Sequence, residues 1–348
     1  MASNLKIIYI SEAINSPFDE GIKNYVFSLY KELQKKTGVI GITKLENQVD
    51  NMEIYRVRLN KFFLNKDLKS IITNNYPDAI LYVPASSATF NSLLRAKILK
   101  LYCRKAKVAV LAVQHREYSL LFKELITYLR PDMLFLLSSR DQNFFQNKEF
   151  NVEIINPAIS LDKFHKIPID RKRELRNKYN IPKNRIVVLH VGHIKTKRNL
   201  DCFTQIQKIP GYQVILVGST TTKQDNILKA NLIKNGIIVI DKYVAEIEEI
   251  YQLSDIYVFS VVKSDAAIDM PLSVLEAMAC NLMVITTKFG GLVDYFKEDS
   301  SFKYYEHSDE LFEKIKNIKL HDIKNDKKVA YFSWAKLADN VIDILNNE

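Results

Sequence analysis

The sequence predicts an α/β fold built from two Rossmann-like domains, each with a parallel sheet covered by helices. Short apolar runs typical of buried strands alternate with amphipathic helical segments at the spacing of βαβ crossovers. This alternation stops in a polar stretch between residues 158 and 184 and starts again at residue 185. The chain has 348 residues, a length that accommodates about two domains with separate cores.

The first alternation begins with an apolar strand at residues 5–10, which is followed by a loop containing Gly21 and then a helix. Further strand-like runs lie at residues 79–83, 108–113 and 133–137. A strand, a loop with glycine and a helix are the opening of a doubly wound α/β unit. No G-x-G-x-x-G motif follows the first strand, which disfavours a nicotinamide-dependent dehydrogenase.

The second alternation has the same plan, although its sequence is unrelated to that of the first. Its strand-like runs lie at residues 185–191, 214–217, 237–240, 256–259 and 283–285. Because ligands of open α/β sheets bind outside the carboxyl ends of the strands, the loops after these runs are the expected places for a site.

Composition indicates an ordinary soluble globular protein, with 47% hydrophobic and 26% charged residues. No apolar run approaches the roughly 20 residues of a membrane span, and the N-terminus lacks the pattern of a signal peptide. The 50 basic and 40 acidic residues give a net charge of +10, which suits anionic ligands or an anionic membrane face. Nucleic acid is not an expected partner, because the charge is dispersed and no nucleic-acid motif is present.

Three cysteines, Cys103, Cys202 and Cys280, are widely spaced along the chain. An odd number at such spacing argues against a disulfide framework and against a zinc site. We therefore expect the protein to work in a reducing cytoplasm.

The most informative stretch is a strand, loop and helix at residues 256–280. After the apolar strand comes a short acidic loop, and apolar residues then recur at helical spacing from Leu272. Pro271 suits a first helical turn, whose free amides favour an anion. Glu276 comes one turn later in an otherwise apolar helix and needs hydrogen-bond donors. The diphosphate and the ribose of a nucleotide sugar would satisfy both requirements.

This stretch closely resembles the E-x7-E segment of the retaining, GT-B-type glycosyltransferases of family 4 (glycosyl transferases group 1). The match extends over about 45 residues and includes the sequence MPLSVLEAMAC at residues 270–280. The first glutamate of the family's pair falls on Ile268, and an acid, Asp269, follows it. The resemblance implies a GT-B fold, in which two Rossmann-like domains face a central cleft. It also implies a retaining transfer of a sugar from a nucleotide-diphosphate sugar to an acceptor hydroxyl.

The same resemblance sets the predicted domains. Residues 154–164 resemble the family's hinge segment PPGVDxxxF, with Ser160 where aspartate is usual. The end of the chain resembles the family's last helix, which packs back on the N-terminal domain. We predict an acceptor-binding N-terminal domain at residues 1–163, joined by the helix at about 334–348, and a nucleotide-sugar-binding domain at residues 164–333.

The loop at residues 192–199 resembles the family's GRLxxxKG loop, whose arginine and lysine clamp the donor diphosphate. Arg198 stands at the lysine position and keeps the charge, with a planar fork suited to phosphate. His193 stands at the arginine position, so Lys195 or Lys197 is expected to supply the missing cation. The alternative is a solvated basic loop without a ligand.

His115 follows the strand-like run at residues 108–113 directly. This is where family 4 members usually carry a histidine that faces the donor sugar, so the resemblance implies a catalytic role. The alternative is a solvated loop histidine.

The remaining predicted site residues lie in loops at strand ends and in the helix after the acidic loop. The predicted catalytic residues are His115, Asp269 and Arg198, and Asp269 is alternatively an N-cap of that helix. No metal and no cofactor are expected, because no D-x-D motif lies at the donor and the family needs none. The donor-binding residues that the resemblance implies are Gly21, His193, Lys195, Lys197, Arg198, Gly218, Tyr243, Val244, Asp269, Met270, Pro271, Leu272, Ser273 and Glu276.

The expected donor is UDP- or GDP-linked, and the acceptor is a glycan, a lipid-linked sugar or a small molecule. A basic, partly apolar helix with Arg95, Lys97, Lys100 and Arg104, and a mixed patch at residues 61–66, suggest contact with an anionic membrane surface. The alternative is a crossover helix with a solvated basic face. We expect a cytoplasmic protein, with a peripheral location on the inner face of the membrane as the alternative that the basic surface suggests.

Two other functions fit the same features. Ile268 and His193, which depart from the family pattern, would suit a non-catalytic nucleotide-sugar-binding partner of another transferase. A GT-B-fold sugar-nucleotide 2-epimerase also cleaves a bond between sugar and diphosphate, but the sequence LEAMAC at residues 275–280 favours the transferases.

Overall fold

The computed structural model describes residues 5–49, 54–221 and 223–347. Residues 1–4, 50–53, 222 and 348 of the two predicted domains lie outside the described residues. The chain divides into two compact units. The first comprises Met1–Pro157, Ile268–Met270 and Trp334–Glu348, and the second comprises Ala158–Ala267 and Pro271–Ser333.

The first unit contains a seven-stranded parallel sheet in the order β3-β2-β1-β4-β5-β6-β7. Its strands are β1 (Lys6–Ile10), β2 (Gly38–Lys44), β3 (Ile54–Val57), β4 (Ala79–Tyr82), β5 (Lys107–Ala112), β6 (Met133–Leu136) and β7 (Val152–Ile154). The intervening helices are α1 (Gly21–Lys36), α2 (Lys66–Asn75), α3 (Phe90–Tyr102), α4 (Leu120–Leu125) and α5 (Gln142–Gln146). Strand order reverses between β1 and β4, so the crevice for a ligand is expected at their carboxyl ends.

The second unit contains a six-stranded parallel sheet in the order β10-β9-β8-β11-β12-β13. Its strands are β8 (Ile186–Val191), β9 (Tyr212–Val217), β10 (Ile238–Ile240), β11 (Ile256–Phe259), β12 (Met283–Thr286) and β13 (Phe302–Tyr304). Its helices are α6 (Ile169–Lys178), α7 (Cys202–Gln207), α8 (Asn226–Lys234), α9 (Ile247–Leu253), α10 (Leu272–Ala279), α11 (Leu292–Tyr295), α12 (Ser308–Lys316) and α13 (Asn325–Val329). Here the order reverses between β8 and β11.

The last helix, α14 (Trp334–Asn346), belongs to the first unit and packs against α1. The Trp334 ring meets the edge of Tyr25 with ring centroids 5.1 Å apart, and Lys36 pairs with Asp339 at 2.8 Å. Leu337, Val341 and Leu345 recur at helical spacing and are buried. The predicted return of the C-terminal helix to the N-terminal domain is therefore confirmed.

The prediction of two α/β domains with parallel sheets is also confirmed, and all nine predicted strand-like runs form strands. Four further strands, β2, β3, β7 and β13, were not predicted. In β2 the apolar pattern is interrupted by Gly38 and Gly41. A Cβ on Gly41 would lie 2.8 Å from the Tyr30 ring of α1. Glycine at this position therefore permits the close packing of α1 on the sheet, which local sequence does not reveal.

The inner strands of each sheet are mostly apolar, as expected for parallel strands that are buried on both faces. Strands β4, β6, β9, β11 and β12 are buried at every position. Within the described ranges, no helix combines the length and the apolar character needed to cross a membrane.

Candidate active site

The predicted donor-binding loops of the second unit meet at the carboxyl edge of its sheet, beside the point where strand order reverses. The loop at residues 192–199 follows β8, and the loop at residues 260–267 follows β11, its neighbour in the sheet. The Ser260 hydroxyl donates to the Arg198 carbonyl oxygen at 2.7 Å. Lys197 pairs with Asp265 at 3.0 Å. These bonds hold the two loops together and position the basic residues at the expected ligand crevice.

Arg198 is buried, and its guanidinium lies against the backbone of Gly192. A Cβ on Gly192 would come within 2.9 Å of Arg198 Nη1, and the φ of Gly192 is +156°. Both facts favour glycine, because a side chain would displace the guanidinium. Next to Gly192 and Arg198 lies His190, whose Nδ1 forms a hydrogen bond with the Val258 carbonyl oxygen at 2.9 Å. Burial, and then the charge of Arg198, lower the pKa of His190 to about 3, so this ring stays neutral beside the guanidinium.

The other basic candidates of this loop are more accessible. Lys195 and Lys197 are exposed, and His193 is half-buried. Because Lys197 pairs with Asp265, Lys195 is the lysine of the loop better suited to supply a mobile cation to a ligand.

Helix α10 begins beside the same loops. Pro271 is its N-cap residue, and the Pro271 side chain makes no capping hydrogen bond, so the amides of the first turn suit an anion. Ser273 is half-buried on this turn, whereas Met270, Pro271 and Leu272 are buried.

Glu276 lies one turn further along α10 and is buried among apolar side chains. The Tyr251 hydroxyl, from α9, donates to Glu276 Oε2 at 2.6 Å. Burial raises the pKa of Glu276 to about 7, an effect opposed by the Tyr251 hydrogen bond and then by the charge of Lys163. With this pKa the carboxyl group is only partly ionised near neutral pH, and hydrogen bonds from ligand hydroxyls would favour its ionised form.

Three further predicted residues follow neighbouring strands at the same edge of the sheet. Gly218 follows β9 directly, and its amide donates to the Ile240 carbonyl oxygen at 2.8 Å. A Cβ on Gly218 would lie 3.0 Å from Ile194, so Gly218 packs against the loop at residues 192–199, which we call the Arg198 loop. Tyr243 and Val244 follow β10, and Tyr243 is exposed.

The predicted residues of the first unit lie at the carboxyl edge of its own sheet. His115 follows β5, and its Nδ1 contacts both carboxylate oxygens of Asp141, at 2.7 and 2.9 Å. Asp141 follows β6 in a short 3₁₀ turn. The hydrogen bond that the His115 ring donates to Asp141 raises the pKa of His115, although burial partly opposes this rise. Asp141 was not among the predicted residues. Its place just beyond a buried strand is the signal that could have suggested it.

Asp269 lies beside this pair, because residues 268–270 belong to the first unit. Its Oδ1 accepts from the His115 backbone amide at 3.1 Å, its Oδ2 accepts from the Ser138 hydroxyl at 3.4 Å, and its own amide donates to the Val113 carbonyl oxygen at 2.8 Å. Burial raises the pKa of Asp269 to about 6. The interpretation of Asp269 as the N-cap of α10 is wrong. The N-cap is Pro271, and the Asp269 carboxylate accepts hydrogen bonds from His115 and Ser138, which follow β5 and β6.

Ile268 replaces the family's first glutamate with an apolar contact. Its side chain is buried, and a Cβ added to Gly21, the first residue of α1, would lie 3.6 Å from its Cδ1. Gly21 and Ile268 therefore face one another inside the first unit.

The structure thus forms two groups of predicted residues. Gly21, His115, Asp269 and Met270 lie in the first unit, and the Arg198 loop, Gly218, the Tyr243 turn and α10 lie in the second. Across residues 5–49, 54–221 and 223–347, no group of three or more His, Cys, Asp or Glu side chains is arranged to hold a metal ion.

Several solved structures have the same fold. Sucrose-phosphate synthase from Thermosynechococcus elongatus matches with a TM-score of 0.77 at 16% identity, over 98% of each chain. A glycosyltransferase from Rickettsia africae matches with a TM-score of 0.77 at 16% identity, over 99% of this chain and 98% of that one. HepE from Anabaena, in complex with UDP-glucose, matches with a TM-score of 0.75 at 15% identity, over 98% of this chain and 99% of that one. These similarities show the GT-B fold.

No curated protein sequence gives a significant match. The family model for glycosyl transferases group 1 matches residues 171–347, which is more than half of the chain and includes the Arg198 loop, Tyr251 and α10. The chain belongs to the glycosyl transferases group 1 family.

Proposed function

We propose that the protein is a retaining, metal-independent glycosyltransferase of family 4. It moves a sugar from a nucleoside-diphosphate sugar to an acceptor hydroxyl. The observation that carries this proposal is the environment of Glu276. The carboxyl group is buried one turn inside α10, bonded by Tyr251, and lies in the same unit as the Arg198 loop. Ribose hydroxyls would donate to it, while the first turn of α10 and Arg198 would receive the diphosphate.

In this reaction the bond between the anomeric carbon and the diphosphate oxygen breaks, and a bond from the acceptor oxygen to that carbon forms. The acceptor's proton leaves with the nucleoside diphosphate. Negative charge develops on the diphosphate, where Arg198, Lys195 and the α10 amides would stabilise it. Removing one such donor typically costs about 3 kcal/mol of barrier.

A uridine or guanosine nucleotide is the proposed donor, and the structural neighbours favour uridine. HepE is described in complexes with UDP and with UDP-glucose. We extend the binding of a uridine nucleotide to this chain because the chain has the same fold and also carries the family's nucleotide-sugar segment at residues 270–280.

Calorimetry with UDP, GDP, ADP and TDP tests the binding part of the proposal. We expect one nucleoside diphosphate to bind with the same affinity with and without EDTA. Loss of binding in the chelator would overturn the metal-free arrangement. Release of sugar or glycoside from the matching sugar nucleotide by the purified protein tests the transferase itself.

A second candidate is a non-catalytic nucleotide-sugar-binding partner of another transferase. The contact of Ile268 with Gly21 favours it, because an apolar residue stands where the family places an acid near the donor sugar. Tight binding of a sugar nucleotide without any turnover would select this candidate.

We propose a lipid-linked acceptor, reached at the cytoplasmic face of an anionic membrane. Of the four predicted basic residues, Arg95 pairs with Glu12, and Lys100 pairs with Asp132. Lys97 and Arg104 are exposed. No residue of α4 is buried, and Leu120 and Leu121 are 84% and 67% exposed. Exposed cations and apolar side chains in one unit suit a membrane surface.

A further inference from the structure

The His115–Asp141 pair joins two loops that are distant in sequence but adjacent in the first sheet. His115 follows β5 and Asp141 follows β6, and these strands are hydrogen-bonded neighbours. The Nδ1 atom lies 2.7 Å from Asp141 Oδ1 and 2.9 Å from Oδ2. Such distances belong to a strong hydrogen bond with an ionised acceptor.

This geometry decides which nitrogen can meet a ligand. A carboxylate can only accept, so the proton of the pair lies on Nδ1. Nε2 is then the ring nitrogen left for a substrate. The loop of His115 is fixed as well, because its backbone amide donates to Asp269 Oδ1.

The charges that face the ring act in opposite directions. Asp141 raises the pKa of His115 through its hydrogen bond and its charge, and Asp269 raises it slightly. Burial and the charge of Arg140 lower it. Because the contribution of Asp141 is the largest, the ring keeps its second proton to a higher pH than a free histidine does.

We infer that Asp141 is a positioning residue for the sugar transfer: it fixes the Nδ1 proton of His115 and presents Nε2–H as a hydrogen-bond donor to a substrate oxygen. This inference rests on the proposed function.

Stability alone is a poor explanation for the pair. The two side chains keep 18% and 16% of their surface accessible, and ion pairs that water reaches contribute little to stability. Neutralising Asp141 should therefore leave the protein folded and change the pKa of the His115 ring.

The test uses Asp141→Asn, with Glu117→Gln as the matched control. Glu117 is an exposed carboxylate two residues from His115, so its replacement removes the same charge without touching the ring. The chain has six histidines, and His115→Gln identifies the NMR signal of His115. We expect the pKa of His115 to fall by about one unit in Asp141→Asn and to remain unchanged in Glu117→Gln.

The pH profile of kcat/KM gives the catalytic half of the test. If protonated Nε2 donates to substrate, activity is lost as pH rises through the pKa of His115. In Asp141→Asn the alkaline limb of this profile should move to lower pH by about one unit. The value of kcat/KM should then fall about tenfold at high pH and change little at low pH. In a His115→Gln background, Asp141→Asn should have no further effect.

Two results would overturn the inference. One is an unchanged pKa of His115 in Asp141→Asn. The other is a shifted pKa with a kcat/KM profile that falls equally at every pH, which would make the pair structural only. The NMR titration uses the free protein, so its outcome is independent of whether a sugar-nucleotide donor has been found.

Discussion

The Tyr251 hydroxyl donates a 2.6 Å hydrogen bond to Oε2 of Glu276, and both side chains are buried in the second unit. Tyr251 opposes the rise in the pKa of Glu276 that burial causes, and the result is a pKa of about 7. A carboxyl group with this pKa changes its charge in the neutral range, so a ligand that needs the carboxylate will bind in a pH-dependent way.

We expect Glu276→Gln to weaken UDP binding about ten- to a hundredfold, because hydrogen bonds to a charged group contribute roughly 1.5–3 kcal/mol. Ribose hydroxyls need the ionised form as acceptor. In the wild type, affinity should therefore rise as pH increases from about 6 to 8 through the Glu276 pKa, and this rise should be absent in Glu276→Gln. Calorimetry across this pH range measures both effects.

Tyr251→Phe is the matched control for that experiment. It removes the hydrogen bond that lowers the Glu276 pKa, so the pH dependence should persist and move to higher pH. An equal loss of affinity in Glu276→Gln for UDP and for its 2′,3′-dideoxy analogue would show that Glu276 does not bind the ribose.

Gly192→Ala should weaken diphosphate binding without replacing any charged residue. The added Cβ would meet Arg198 Nη1 at 2.9 Å, so the guanidinium has to move. We expect about a tenfold loss of UDP affinity, equivalent to one weakened charged hydrogen bond. Gly38→Ala is the control, because among the residues that the structure describes its Cβ would lie near one atom, the Leu5 carbonyl oxygen, at an ordinary contact distance of 3.8 Å. Unchanged UDP affinity in a folded Gly192→Ala protein would exclude Arg198 as a diphosphate ligand.

Asp269→Asn separates a sugar ligand from a structural residue. Asparagine can still accept from the His115 amide and contact Ser138, so the melting temperature should change little. If the carboxylate also contacts the donor sugar, turnover should fall ten- to a hundredfold, roughly 1.4–2.7 kcal/mol. Wild-type turnover in Asp269→Asn would contradict the sugar-ligand role.

Asp269→Ala is the companion variant. It leaves the His115 amide without its acceptor inside the protein, which should lower stability by about 1–3 kcal/mol. In the wild type the pKa of Asp269 is raised to about 6, so its contribution to stability decreases as pH rises from about 4 to 6. This dependence should be absent in Asp269→Asn, and thermal melts across that range measure it.

Co-sedimentation with anionic and with neutral vesicles tests the proposed membrane contact. Replacing both Lys97 and Arg104 by glutamine should weaken binding to anionic vesicles by about 2 kcal/mol, roughly thirtyfold. The control replaces Lys316 and Lys319, two exposed lysines of the second unit, and should bind as the wild type does. Equal binding to both vesicle types, or to neither, would contradict an anionic membrane partner.

Sequence by itself determined the architecture, because the signals involved are local. Apolar runs and helical spacing predicted nine strands of two parallel sheets, and the segment at residues 270–280 predicted the helix that carries Glu276. Burial on both faces of a parallel strand leaves a continuous apolar run in the sequence. Strand β2 escaped prediction because Gly38 and Gly41 break that run.

Only the tertiary structure decided which side chains meet. Asp141 lies 26 residues from His115, Tyr251 lies 25 residues from Glu276, and Asp269 joins the first unit although most of its sequence neighbours belong to the second. His115 and Asp141 meet because neighbouring strands of the sheet deliver their following loops to one edge. Tyr251 and Glu276 meet because helices α9 and α10 contact one another. The periodicity of the sequence indicates which face of a helix or strand is buried. It does not indicate which side chains of other elements that face contacts. The protonation of His115, Asp269 and Glu276 depends on those contacts and on burial, so only the tertiary structure determines it.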